Sequence, residues 1–199
     1  MEHAVIRDFQ PADTDALYEI CLRTGDSGAD ASGLYADPRL IGQVFLGAYL
    51  ALEPEFAFVV DDGAPAGYVI GAPDTAAFDA ACERSWWPRL RAQYPLDRFP
   101  DGTPDAHLVA MIHDPPTSDP ELLAAFPSHL HIDLLPRVQG HGMGRSAAER
   151  LFTALREAGS PGVHLGVGAR NVNAIAFYER LGFTTWADHR THRVMTYAL

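Results

Sequence analysis

The chain reads as a mixed α/β domain of the α+β kind, built on a mainly antiparallel sheet. Three stretches carry that reading. Phe56-Ala57-Phe58-Val59-Val60 and Gly67-Tyr68-Val69-Ile70-Gly71 flank Asp61-Asp62-Gly63-Ala64-Pro65, two apolar runs about a turn, which makes a hairpin. Phe183-Thr184-Thr185-Trp186 and the alternating segment from Thr191 to Leu199 make a second antiparallel pair that closes the chain. Between them, Leu130-His131-Ile132-Asp133-Leu134-Leu135 stops at Pro136, and Gln139-Gly140-His141-Gly142-Met143-Gly144 leads into a helical pattern: strand, glycine turn, helix.

In chain order, Ala4-Val5-Ile6-Arg7-Asp8-Phe9 is the expected first strand. Pro11-Ala12-Asp13-Thr14-Asp15 then supplies helix-start chemistry ahead of the apolar stripe Ala16, Leu17, Ile20 and Cys21. Thr24 to Ser32, rich in Gly, Asp, Ser and Ala, reads as a mobile loop placed where it could lie over a substrate. One helix is expected from about Pro38 to Leu50, with Leu40, Ile41, Val44, Phe45 and Ala48 at helical spacing. After the hairpin, Thr75 is the expected cap of a helix through Phe78, Ala81, Cys82 and Trp86, broken at Trp87-Pro88 and continued over Arg89 to Tyr94. Trp86, Trp87 and Tyr94 fit core packing better than a pocket lining. Pro95 to Pro127, dense in Pro and Asp, reads as irregular with one strand-like island, Leu108-Val109-Ala110-Met111-Ile112. Met143, Ala147, Leu151 and Leu155, with Ala148, Phe152 and Ala158 beside them, form a helix stripe that ends at Gly159-Ser160-Pro161. Val163 to Val167 is a short strand, and Asn171 to Gly182 a helix with a capping residue at one end and a glycine at the other.

At 199 residues and 47% hydrophobic, the chain has enough apolar material for one core, and a single domain over 1–199 is expected, extended around 74–128. A formal net charge of −11 argues against nucleic acid as a partner, because phosphate binding needs a basic surface. No apolar run approaches the ~18 residues of a membrane span, and Glu2-His3-Ala4-Val5-Ile6-Arg7 after Met1 has no leader pattern, so a cytoplasmic protein without a membrane partner is expected. Cys21 and Cys82 are too few and too isolated for a disulfide framework. All fifteen basic residues are Arg, so any charged contact to a phosphate must come from Arg or His.

The glycine turn carries the chemistry. Backbone N–H groups in the first turn of a helix lack intrahelical partners and lie at the positive end of the dipole, and glycines let the chain come close to an anion. The register excludes two phosphate motifs. A P-loop needs Lys then Ser or Thr after its second glycine, whereas Arg145-Ser146 follows the last one here; a dinucleotide fingerprint needs G-x-G-x-x-G early in a βαβ unit. An ordinary tight βα connection is the structural alternative for the turn alone.

Gln139-x-x-Gly142-x-Gly144 after a strand and a proline resembles the pyrophosphate loop of the GNAT superfamily of acetyl-CoA-dependent N-acetyltransferases. A second block, Asn171 with Tyr178 seven residues later and then Leu181-Gly182-Phe183, is similar to that superfamily's next helix. Tyr35 to Thr75, with Pro54-Glu55-Phe56 and Gly71-Ala72-Pro73-Asp74-Thr75, resembles the acetyltransferase-like domain of O-GlcNAcases and its bacterial relatives. The resemblance implies a GNAT fold, a mixed sheet with helices on both faces. It implies acetyl-CoA as cosubstrate, no metal, and an acetyl group passed by direct attack to an amine of a small molecule or peptide, with a homodimer among the allowed assemblies. The cofactor-binding residues it implies are Leu134, Leu135, Gln139, Gly140, His141, Gly142, Met143, Gly144, Arg145, Asn171, Asn173 and Tyr178. Arg137 and Arg170 join Arg145 as candidates for the remaining phosphate.

Tyr178 is the expected general acid for the departing thiol. His129, His131 and Asp133 alternate and so share one strand face, while Ser128, Leu130, Ile132 and Leu134 share the other. The family's usual base position, counted back from Leu134 on its own face, falls on Ser128 and Leu130, which cannot serve. Asp133 and His131 are therefore the candidate bases, Asp133 being carried forward, with a water chain or another loop as alternatives, and a bulge would reverse the faces. A non-catalytic acetyl-CoA-binding module is the alternative function.

Overall fold

The computed structural model describes residues 4–199; Met1, Glu2 and His3, on which the leader expectation partly rests, lie outside the described residues. Seven strands, β1 (Val5–Asp8), β2 (Ala57–Asp61), β3 (Pro65–Ala72), β4 (Ser128–Leu134), β5 (Gly162–Gly168), β6 (Thr184–Asp188) and β7 (His192–Ala198), form one sheet in the order β1-β2-β3-β4-β5-β7-β6. Every neighbouring pair is antiparallel except β4 with β5. The hairpin and the closing pair stand where their turn chemistry placed them.

Helices cover both faces of the sheet, as a period of two in the strands demands. Tyr68 and Ile70 of β3 point into one core with α1 (Thr14–Thr24), α2 (Leu40–Phe45), α3 (Gly47–Leu52), α4 (Thr75–Ser85), α5 (Trp87–Gln93) and α6 (Pro104–His113). Val69, between them, points into the other, with α8 (Met143–Glu157) and α9 (Val172–Leu181); the short α7 (Pro120–Ala125) precedes β4. The α8 stripe buries Ala147, Ala148, Leu151, Phe152 and Leu155. Full burial of each Leu or Phe is worth about 1.5–3 kcal/mol, which holds α8 flat against β2, β3 and β4.

Three sequence expectations are corrected. The helix expected from Pro38 to Leu50 is two helices, α2 and α3, separated at Leu46, whose φ of −131° breaks the ladder. Gly47 explains the break: a Cβ there would stand 2.2 Å from Tyr18 Oη and 2.5 Å from Trp86 Cζ2, so only glycine lets α3 come this close to α1 and α4. The island Leu108–Ile112 is helical, inside α6. Thr103 caps that helix by accepting from Ala106 N–H, Pro104 follows at its first position, and Leu108, Val109 and Ile112 bury on one side. A short apolar run fits strand or helix alike, and the Thr-Pro start signal decides it. Thr75 is not the cap of α4; Asp74 is, through Ala77 N–H, and the Thr75 hydroxyl donates instead to Pro127 O at 2.7 Å. The helices expected between Thr75 and Tyr94 are present as α4 and α5, and the segment expected to be irregular, Pro95 to Pro127, holds two further helices, α6 and α7.

Candidate active site

The central feature is a parting of strands. β4 and β5 pair only at Ser128–Val163 and His129–His164, yet β4 stays in register with β3 as far as Leu134, and β5 with β7 as far as Gly168. Leu135 N–H donates to Ala66 O at 2.8 Å, which makes Gly67 and Leu134 a non-hydrogen-bonded pair. The backbone groups of Ile132 and Leu134 therefore face away from β3 and open onto the gap. Leu135 differs: its N–H goes to Ala66 and its carbonyl accepts from Val138, so both backbone groups are used within the chain.

The glycine turn closes the end of this gap. A 3-10 turn over Pro136–Val138 leads to Gln139, whose side chain donates to Leu134 O at 2.7 Å. Gly140 and Gly142 have φ of 79° and 82°, the left-handed region that a Cβ makes costly, and a Cβ on either would meet nothing within 4 Å. Gly142 is the N-cap of α8 and provides no side-chain cap, so the first-turn N–H groups of Met143, Gly144 and Arg145 face open space beside exposed His141. Gly144 packs tightly, a Cβ there lying 3.0 Å from Phe177 and 3.3 Å from Leu134, which draws α8, α9 and β4 together. Arg145 donates to Arg180 O at 2.8 Å and so ties the start of α8 to the end of α9. Of the other candidate arginines, Arg137 is paired with Asp62 at 2.8 Å, and Arg170 faces Asp26 at 3.7 Å across from the α1–α2 loop.

Past β5, Asn171 caps α9 through Ala174 N–H at 3.1 Å, while Asn173 is exposed in the first turn. Tyr178 is buried between Phe177 and Phe183, ring centroids 5.3 and 5.4 Å away, yet its hydroxyl has no hydrogen-bond partner among the described residues. The ring is packed and the hydroxyl is left available to a ligand. Burial and the nearby Asp133 carboxyl push its pKa above the usual phenol value.

β4 carries no bulge against β3, so the alternation holds: His129, His131 and Asp133 face the α1–α6 side. His129 is satisfied. Thr75 spends its proton on Pro127, so His129 Nδ1–H donates to Thr75 Oγ1 at 2.7 Å and Nε2 accepts from Tyr49 at 2.6 Å. Burial holds it neutral, its pKa well below the usual value. Among the described residues His131 makes no hydrogen bond, and burial, with His164 nearby, lowers its pKa to about 4. Asp133 receives a 2.5 Å hydrogen bond from Tyr68, and burial raises its pKa above that of an ordinary carboxyl. The glycine turn thus sets the α8 N-terminus after Leu134, while Asp133 on the α1–α6 side and Tyr178 on the α9 side lie near enough for the carboxyl to raise the phenol's pKa. Sequence reasoning missed Tyr68, Thr24 and Cys21 around Asp133, because cross-strand register and helix docking leave no local signal. Among the described residues no group of three or more His, Cys, Asp or Glu is placed to hold a metal, and no helix is long and apolar enough to cross a membrane.

Comparison with known proteins agrees with this geometry. A family model described as Acetyltransferase (GNAT) family matches residues 17–183. Protein O-GlcNAcase of Rattus norvegicus is 28% identical over 180 residues, 89% of this chain but 20% of that protein, so the chain spans about a fifth of its relative's length. The crystal structure of SsHAT superposes with a TM-score of 0.92 at 41% identity, covering 98% of both chains. That of yncA from Salmonella typhimurium, solved with its cofactor acetyl-CoA, shares the fold, with a TM-score of 0.57 at 18% identity over 99% of this chain and 94% of that one. The parted strands, the glycine turn at the head of α8 and the family match lead to one assignment: the chain belongs to the acetyltransferase (GNAT) family and is an acyl-CoA N-acyltransferase.

Proposed function

We propose that the chain transfers the acetyl group of acetyl-CoA to an amine by direct attack, in the gap between β4 and β5. The observation that carries the reading is the end of β4–β5 pairing at His129–His164 while both strands run on, with the glycine turn following the end of β4. The residues fit the cosubstrate. The open first-turn N–H groups from Met143 to Arg145, with Gly140 and Gly142 free of side chains, suit a pyrophosphate, and Leu134 N–H suits an amide of the pantetheine arm.

The thioester supplies an activated acetyl group; the amine nitrogen bonds to its carbonyl carbon, and the carbon–sulfur bond breaks. Asp133 takes the proton that the amine gives up. A carboxyl with a raised pKa is a better base at neutral pH than an ordinary aspartate, since proton affinity rises with pKa. Tyr178 holds its proton more firmly than a free thiol with a pKa of about 8.5, so it donates a hydrogen bond to the departing sulfur instead of surrendering a proton to it. On this reading Tyr178 acts at the sulfur as a hydrogen-bond donor, where the sequence reading has a general acid, and the sulfur departs as a thiolate that takes its proton from water. The acceptor reaches Asp133 from the α1–α6 side, under the loop that joins α1 to α2.

The test is calorimetry with acetyl-CoA, paired with thiol release over a panel of small primary amines and N-terminal peptides. Binding with turnover of at least one amine is the expected outcome. No binding would remove the gap as the cosubstrate site, and binding without turnover on the whole panel would favour an acetyl-CoA-binding module.

A further inference from the structure

We propose that Tyr68 is a positioning residue that holds Asp133 and sets the pH at which it ionises; this rests on the reading of Asp133 as the base. The two residues stand directly opposite one another in the β3–β4 register, Tyr68 is 1% exposed, and its hydroxyl lies 2.5 Å from Asp133 Oδ2. A cross-strand pair on two central strands cannot drift apart without breaking the sheet, so the bond is built into the fold.

Tyr68 is the main donor to the carboxyl. Thr24 on α1 stands beside it and also lowers its pKa, to a smaller extent, while its hydroxyl bonds to Ile20 O at 2.8 Å. Cys21, also on α1, is a buried thiol pushed up to about 12 by burial and by Asp133, and is neutral. Tyr178 on α9 and His131 on β4 complete the groups facing Asp133, and both are neutral at pH 7, the phenol raised and the imidazole lowered to about 4. No cation stands among these groups to stabilise the carboxylate. The Tyr68 hydroxyl, ahead of Thr24, offsets part of the burial penalty and fixes Oδ2, which leaves Oδ1 for the proton of the incoming amine.

The sign follows. Removing the hydroxyl takes away a hydrogen bond to the charged form, so the carboxyl pKa rises and the base is formed only at higher pH. Tyr68→Phe keeps the ring and its packing. Infrared difference spectra of the whole protein against pH read the protonated-carboxyl band that disappears in Asp133→Asn, without needing an acceptor. In Tyr68→Phe that band is expected to titrate at least half a pH unit higher than in wild type. With an amine that the panel shows to be turned over, the acid limb of kcat/KM should move by the same amount and acetyl-CoA affinity should stay the same. A titration that coincides in the two proteins, or a wild-type spectrum with no band that Asp133→Asn removes, overturns the proposal. Full turnover with an unchanged acid limb in Asp133→Asn would instead overturn the base assignment itself.

Discussion

Gln139 Nε2 donates to the carbonyl of Leu134 at 2.7 Å, which binds the glycine turn to the last residue of the strand it follows. The bond fixes the spacing between Leu134 N–H and the α8 N-terminus, two points proposed to grip one cosubstrate. Gln139→Ala removes one hydrogen bond worth about 1 kcal/mol, so acetyl-CoA affinity should fall roughly fivefold. The side chain is exposed, so the melting temperature should hardly change. Calorimetry and a melting curve check both halves, and unchanged affinity would separate the bond from binding.

Gly142→Asp should abolish acetyl-CoA binding in a folded protein. At φ 82° a side chain costs about 1–2 kcal/mol, and the carboxylate would lie where the first-turn N–H groups open. Calorimetry on the variant is the check, with circular dichroism to establish folding. Wild-type affinity would show that the pyrophosphate lies elsewhere.

Tyr178→Phe should lower kcat by roughly 10- to 100-fold, the equivalent of a hydrogen bond to a charged group at about 1.5–3 kcal/mol. Because the hydroxyl has no partner among the described residues, the variant should keep its melting temperature and its affinity for acetyl-CoA. A purely structural phenol would give the reverse pattern, lower stability with unchanged turnover.

Asp133→Asn should end turnover yet leave the protein as stable as wild type, or more so, above neutral pH. The sign comes from linkage. Burial raises the folded pKa above the unfolded value of about 3.9, so the folded state keeps a proton that the unfolded chain has lost. The stability that this group contributes is full below about pH 3.9 and is lost as pH rises through the folded pKa. Asparagine has no such loss, so its advantage should be greatest at high pH and vanish in acid. Denaturant midpoints measured at several pH values test this, and a variant less stable than wild type at pH 8 would contradict it.

How much of this was legible in the sequence differs from residue to residue. The order of strands, the glycine turn, the cap at Asn171 and the stop at Gly182 follow from local chemistry, because turns and helix ends depend on a few neighbouring residues. So does the sharing of one face by His131 and Asp133, which needs only the two-residue period of a strand. Leu108–Ile112 is helical although five apolar residues suit either geometry, and the deciding signal, the Thr103-Pro104 helix start, lies outside the apolar run. The break at Gly47 came from an approach of Tyr18 and Trp86, distant in the chain, that no spacing announces. The site divides in the same way. Glycines and N–H groups for an anion were written in the sequence from Gln139 to Arg145. That β4 and β5 part after His129, that Tyr68 comes to lie opposite Asp133, and that Tyr178 is buried with a free hydroxyl were decided by tertiary structure alone, because register, desolvation and hydrogen-bond satisfaction arise only when segments far apart in the chain are packed together.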